Sequence, residues 1–424
     1  MKNPFYIFNC MKSNTLSFAA VFVLVLIACS SSVKKQDHSA EIVKQFGPID
    51  RNINVSRDSL NNENWQEVEK NEVVKICLDD HVHKWETSLK SAIFNDSCLV
   101  FQAPTLIGVD TLNVYFSDAD SSHRINLAVG MKYLNFKNEE VLIGYDEFGE
   151  YDLRRLGLEK NQEPERLVSV TAKYLVDKYP VTNCEFLQLM WDSIPEKGTY
   201  NKDLDIEKAR NKWYSRKKSS IRNENCATHD TAANTIPLYQ ALKYANARSI
   251  REGLKPYYIF SVISDNEGVA EDILPNGYIV GYWDFSYHNE HYVRAIIDSA
   301  SDGYRLPYIE EWSMFARGGD KKNKAPWGDS SATPEKVAKY AKCFSDYYST
   351  APVGKLLPNG YGLYDMFGLV WERVFIKDYL FFNDYHPTVL KGSGSYCNKH
   401  SNYGSFEKGY DGNFSGFRLV RKLK

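Results

Sequence analysis

A chain of 424 residues is long enough for two domains with separate cores. Its 52 lysines and arginines stand against 54 aspartates and glutamates, so the net charge of −2 excludes the basic excess that a nucleic-acid-binding face requires. The 29 tyrosines suit strands and loop-rich cores as well as envelope surfaces.

The first element is an apolar run from Leu16 to Ala28, preceded by Lys12 and closed by Leu26-Ile27-Ala28-Cys29. It is shorter than the roughly 20 apolar residues of a spanning helix. A positive start, a short apolar core and small residues before a cysteine resemble a bacterial lipoprotein signal. This predicts a signal peptide over residues 1–28, with Met11 as an alternative start, and lipid attachment at Cys29. Acyl chains would then hold the mature chain in the lipid bilayer. Ser30 stands where an Asp would favour inner-membrane retention, so the expected location is the outer membrane, facing the periplasm. Residues 29–64 are polar, weakly patterned and read as a tether.

Strand patterns follow. Leu112, Val114 and Phe116 alternate with Asn113 and Tyr115, and Ile125, Leu127 and Val129 alternate with Asn126. Short apolar runs at Val73 to Leu78 and Ser97 to Phe101 are broken by Ala103-Pro104 and Gly108. Turn-punctuated short strands predict a small β-sandwich over residues 65–136, with Cys77 and Cys98 on strands and able to pair. Asp79-Asp80-His81-Val82-His83 invites a metal reading, but a solvated turn explains it better, because a site needs three or more converging ligands.

From residue 137 onward, helical patterns appear between long irregular stretches. Thr182-Asn183-Cys184-Glu185 has the form of a capping box, with Phe186, Leu187, Leu189 and Met190 as the buried face. A second helix opens near Pro237, buries Ala241, Leu242, Ala245 and Ser249, and ends at Gly253. A third begins at Pro307, with Glu310 and Glu311 in its first turn, Ile309, Trp312 and Phe315 inward, and Gly318-Gly319 as its stop. The stretches from Asp192 to Asn234 and from Ser261 to Asp302 read as loops or insertions. Arg305, Arg317 and Arg418 suit buried roles that satisfy backbone carbonyls, and Trp312, Trp327 and Trp371 read as core anchors.

These elements carry a chain of motifs. Ile143-Gly144 and Glu163-Pro164 precede YLVDKYPVTN (Tyr174 to Asn183) and ALKYANARSIREGLKPYY (Ala241 to Tyr258). Then come GYRLPYIEEWSMFARGG (Gly303 to Gly319), PWGD (Pro326 to Asp329), NGYGLYDMFGLVWERV (Asn359 to Val374), KGSGSY (Lys391 to Tyr396) and SGFRLVRK (Ser415 to Lys422). In this order they resemble the formylglycine-generating enzyme (sulfatase-modifying factor) family over residues 137–424. The resemblance implies an α+β fold, a variant of the C-type lectin fold with little regular secondary structure, following the β-sandwich.

Active members of that family oxidise a sulfatase cysteine with oxygen, and two closely spaced cysteines, soft thiolates suited to Cu(I), are implied just after the motif that here reads Lys391 to Tyr396. Cys397 falls near the first position, the second falls at about Asn402, and no cysteine follows Cys397. Copper is therefore not expected. The resemblance also implies calcium, with Glu372 as the surviving candidate ligand. Leu369 replaces an implied Asn and Lys342 stands where another is common, which weakens a site that needs about six to eight oxygens. No cofactor is expected.

The sequence thus predicts an envelope lipoprotein whose family-like domain is a non-catalytic binding or assembly module, with envelope proteins as partners and a glycan as a further candidate ligand. The alternative is a formylglycine-type cysteine oxidase or another enzyme using the same cleft, with Cys397, Ser395 and His400 as catalytic candidates.

Overall fold

Alternation of apolar and polar residues builds the first half of the chain. In the computed structural model, the residues described are 39–60, 64–95, 97–119, 122–143, 165–192, 230–234, 236, 238–262, 277–284, 289–320, 323, 325–328, 333–343, 351–375, 388–392, 406–408 and 415–424. The chain divides into two units, residues 1–48 and 49–424. In the first, the helix α1 (Ser39–Phe46) is formed. Among the described residues, no helix is long and apolar enough to cross a membrane.

The second unit opens with eight strands: β1 (Arg51–Val55), β2 (Trp65–Val68), β3 (Val73–Leu78), β4 (Lys84–Glu86), β5 (Ser91–Asn95), β6 (Cys98–Gln102), β7 (Gly108–Tyr115) and β8 (His123–Val129). They form two four-stranded sheets, ordered β1-β3-β6-β5 and β2-β8-β7-β4. Ile76 and Leu78, Leu99 and Phe101, Leu112 and Val114, and Ile125 and Leu127 fill their shared core. Cys77 and Cys98 face each other across β3 and β6 and are joined by a disulfide. The alternation expected in β8 is incomplete, because Asn126 and Ala128 are also buried. Ala128 belongs to the core of the following domain, so β8 is covered on both faces.

Two expected boundaries move. The tether over 29–64 is too long, because β1 lies within it and Val55 and Leu60 join the sandwich core. No break falls at residue 137: β9 (Met131–Ile143) runs through it, and Leu134 and Phe136 pack with Trp312 and Phe315. Strand β9 pairs along its length with β10 (Arg166–Asp177).

The capping box forms as expected at α2 (Asn183–Asp192): Glu185 N donates to Thr182 Oγ1 (3.2 Å) and Thr182 N donates to Glu185 Oε2 (3.4 Å). Phe186, Leu189 and Met190 are buried, while the Leu187 side chain lies outside the described residues. Helix α3 (Leu238–Arg251) buries Ala241, Leu242, Ala245 and Ser249. Helix α4 (Ile309–Arg317) buries Trp312 and Phe315 and stops at Gly318, whose φ of 72° few side-chain-bearing residues adopt. Pro237 and most of the stretch from Asp192 to Asn234 lie outside the described residues.

The stretch from Ser261 to Asp302 is not the loop expected. With β11 (Tyr258–Val262), it forms the sheet β11-β13-β12, where β12 is Gly277–Asp284 and β13 is Asn289–Ile297. Tyr278, Ile279, Val280, Tyr282 and Trp283 are β-branched and aromatic residue types that favour a strand, although Gly281 interrupts the pattern. The chain ends in β14 (Trp371–Phe375), β15 (Thr388–Lys391), β16 (Phe406–Lys408), β17 (Ser415–Gly416) and β18 (Val420–Leu423). Strand β18 pairs with β10, giving the sheet β18-β10-β9. The result is a mixed helix and strand fold with little helix.

Candidate functional site

Strand β14 is buried along its length and carries Glu372 into the interior. A carboxylate there must be fully bonded, because an unpaired buried charge is costly. Glu372 Oε1 accepts from Arg418 Nη2 at 2.6 Å, and Oε2 accepts from Arg418 Nε at 2.7 Å and from Trp312 Nε1 at 2.8 Å. Arg418 then donates to the carbonyls of Asp177, Lys178 and Tyr364. Arg305 and Arg317 likewise reach the carbonyls of Leu306 and Asn323. Trp312, Trp327 and Trp371 are buried.

This arrangement corrects Glu372 as a calcium ligand, since both oxygens already hold a guanidinium and an indole. Leu369 sits in the left-handed region (φ 63°), buried with Ala232 and Val370, and supplies no oxygen from its side chain. Lys342 contributes its carbonyl to Leu369 N at 2.9 Å. As placed, Glu372, Leu369 and Lys342 do not form a calcium site among the described residues.

The strand leading to the catalytic candidates is placed, but the candidates are not. Lys391 at the end of β15 is fully buried, and Gly392 lies against Met366 O and the Trp312 ring, where a Cβ would stand 3.1 and 3.3 Å from them. Ser395, Cys397 and His400 lie outside the described residues, as do Cys226 and Cys29. Cys184 and Cys343 are both disulfide-bonded. Neither can lend Cys397 the second thiolate that Cu(I) needs, so the described residues do not fit copper.

Asp79 to His83 form a turn rather than a strand. Asp79 Oδ1 accepts from Arg57 N, and Asp80 and Asp118 bind the Arg57 guanidinium, which lies over the Phe116 ring. Side-chain and backbone hydrogen bonds from Arg57 hold both turn carboxylates below their usual pKa. Among the described residues, no group of three His, Cys, Asp or Glu side chains is arranged to hold a metal.

A groove of about 600 Å³ opens on the sheet β18-β10-β9. Ile143, Val168, Val170 and Met314 give it an aliphatic floor, and Tyr257 and Tyr308 a wall. Their hydroxyls lie 3.1 Å apart. Arg305 binds Glu311 through two hydrogen bonds of 2.6 and 2.7 Å, and Arg166 pairs with Glu310 at 2.7 Å. Lys422 and Lys424 complete the rim. Single-residue motifs gave no sign of this groove, because its parts come from five segments joined only by the fold.

A second cluster also escaped sequence reasoning. Lys70, in the turn between β2 and β3, meets Glu185 and Asp230 at 2.7 and 3.3 Å. Burial alone would lower the Lys70 pKa, but the two carboxylates raise it above the usual lysine value. Asp230 is raised by burial and by Glu185, against the pull of Lys70.

The chain is similar to known proteins over part of its length. It is 31% identical over 155 residues to the chaperone protein LppX of Paenibacillus barcinonensis, covering 32% of this chain and 49% of that one. It is 41% identical over 80 residues to the formylglycine-generating enzyme of Thermomonospora curvata, covering 16% and 26%. It is 40% identical over 77 residues to the inactive C-alpha-formylglycine-generating enzyme 2 of Mus musculus, covering 16% and 25%. The chain thus spans about half or less of the length of these curated relatives. The family model that matches residues 138–423 covers more than half of the chain, and this protein therefore belongs to the family of the sulfatase-modifying factor enzyme 1-like domain.

Proposed function

We propose that this protein is an envelope lipoprotein whose sulfatase-modifying-factor-like domain, a variant of the C-type lectin fold, is a non-catalytic binding or assembly module. Residues 1–28 are removed as a signal peptide, and lipid on Cys29 anchors the chain in the outer membrane, facing the periplasm. Its partners are the bilayer and envelope proteins. The observation that carries the reading is the state of the thiols. Cys77, Cys98, Cys184 and Cys343 are all disulfide-bonded, so none of these four supplies a thiolate. Soft-metal capture by a thiolate pair is poorly served by such a set. Disulfides also belong to oxidising compartments, which supports the envelope location. Similarity to a protein named as a chaperone and to one named as an inactive enzyme supports a binding role.

The test is copper titration of the purified mature chain, followed by incubation with oxygen and a cysteine-containing peptide. The expected result is no stoichiometric copper and an unchanged peptide thiol. One copper per chain with peptide oxidation sinks the reading. Labelling with an alkyne fatty acid, lost in Cys29→Ala, checks the anchor.

A further inference from the structure

The face of β10 that carries Tyr174 and Val176 is covered by Trp312 and Phe315 of α4. The same face continues through Val170 and Val168, which are half-buried. These valines form the floor of the groove described above. Four cations line it, Arg166, Arg305, Lys422 and Lys424, against two carboxylates, Glu310 and Glu311. Each carboxylate is already paired, with Arg166 or Arg305, so the two lysines set an excess of positive charge.

We propose that this groove docks an acidic amphipathic peptide segment of a partner protein. The inference rests on the binding-module reading and names the partner's chemistry. An aliphatic floor takes an apolar stripe, and the lysines on the rim take flanking carboxylates. The volume suits several side chains. Strand addition is not the mode, because β10 is the central strand of its sheet, paired with β9 and β18 on its two sides. Docking is therefore through side chains, as when an apolar helix face lies in a groove. Tyr257 and Tyr308 bound the wall with their hydroxyls turned to each other, and the Arg305 guanidinium lies over the Tyr308 ring, 4.6 Å from its centroid.

The test pans a displayed library of random peptides against the full mature chain in detergent micelles and measures binding of the enriched peptides by fluorescence anisotropy. Enriched sequences are expected to combine Asp and Glu with Leu, Ile or Phe at helical spacing. Lys422→Glu, an exposed change, is expected to weaken them about tenfold, and added salt to weaken them further. Val168→Glu is expected to remove binding, with circular dichroism confirming the fold. Enrichment of basic or neutral peptides overturns the proposal. So does undiminished binding to Lys422→Glu, or no enrichment over background. None of these outcomes alters the copper measurement, so the two readings fail separately.

Discussion

Lys70 Nζ lies 2.7 Å from Glu185 Oε1, although the two residues are 115 positions apart in the chain. The other oxygen of Glu185 accepts from Thr182 N and so closes the capping box of α2. A turn of the sandwich thus completes a helix N-terminus in the domain that follows. Neighbouring contacts repeat the pattern. Lys178 Nζ reaches Glu69 at 2.6 Å, Lys132 pairs with Glu67, and Trp65 stacks on Tyr133 with ring centroids 5.5 Å apart. Ile107 and Ala128 of the sandwich lie in the same core as Leu175 and Tyr304. The sandwich is packed into the domain it precedes rather than joined to it by a linker.

Replacing Lys70 with Met leaves Glu185 and Asp230 facing each other without their cation. Lys70 keeps some solvent contact, so the expected loss is about 1–3 kcal/mol, below that of a fully buried pair. Denaturant melts of Lys70→Met measure it, and a loss near zero would show that the ion pairs do not couple the two halves. Calorimetry of the parent is expected to give one transition for the sandwich and the family domain, because their core is shared.

The disulfides make a second expectation. Cys77, Cys98, Cys184 and Cys343 are expected to resist alkylation in the folded, unreduced chain and to react after reduction. Mass spectrometry of peptides alkylated before and after reduction reads this directly. Labelling of Cys184 or Cys343 before reduction would return a thiolate to the neighbourhood and reopen the oxidase alternative.

Local signals were legible in the sequence and distant ones were not. The capping box at Thr182, the stop at Gly318 and the alternation at Leu112, Val114 and Phe116 each need only a few neighbouring residues. Glu372 reads as a metal ligand from its motif, because nothing local shows that Arg418 and Trp312 will reach it. In the sheet formed by β11, β12 and β13, Gly281 interrupts the run of strand-forming residues in β12. The groove was hidden because Val168, Tyr257, Met314 and Lys422 meet only through the fold. Of the candidate site, Glu372 could be placed, whereas Ser395, Cys397 and His400 lie outside the described residues.

The role of Glu372 separates two chemistries. Glu372→Gln removes one charge of a buried pair and leaves Arg418 with carbonyl partners alone, at an expected cost of about 3 kcal/mol or more. A structural partner of Arg418 gives the same loss in calcium and in a chelator. If the loss appears only in calcium, Glu372 serves a metal and the assignment to Arg418 fails.

Asp365 gives the chain a pH dependence of known sign. Its carboxyl is buried, accepts Gly354 N at 2.7 Å and sits at a positive φ of 54°. Burial pushes its pKa from 3.8 up to about 6. The folded state therefore holds this proton more tightly than the unfolded state, and between those two values the native state binds more protons. Stability from this group is highest below the lower value, falls as pH rises through the window, and reaches its full penalty above the upper one. The roughly two-unit shift corresponds to about 3 kcal/mol lost across the window. Asp365→Asn keeps an acceptor for Gly354 and suits the left-handed backbone, but cannot ionise. Its urea midpoint is expected to change less than that of the parent between pH 4 and pH 7, so that the variant is the more stable protein at neutral pH. Parallel pH profiles for the two would mean that Asp365 ionises as freely in the folded chain as in the unfolded one.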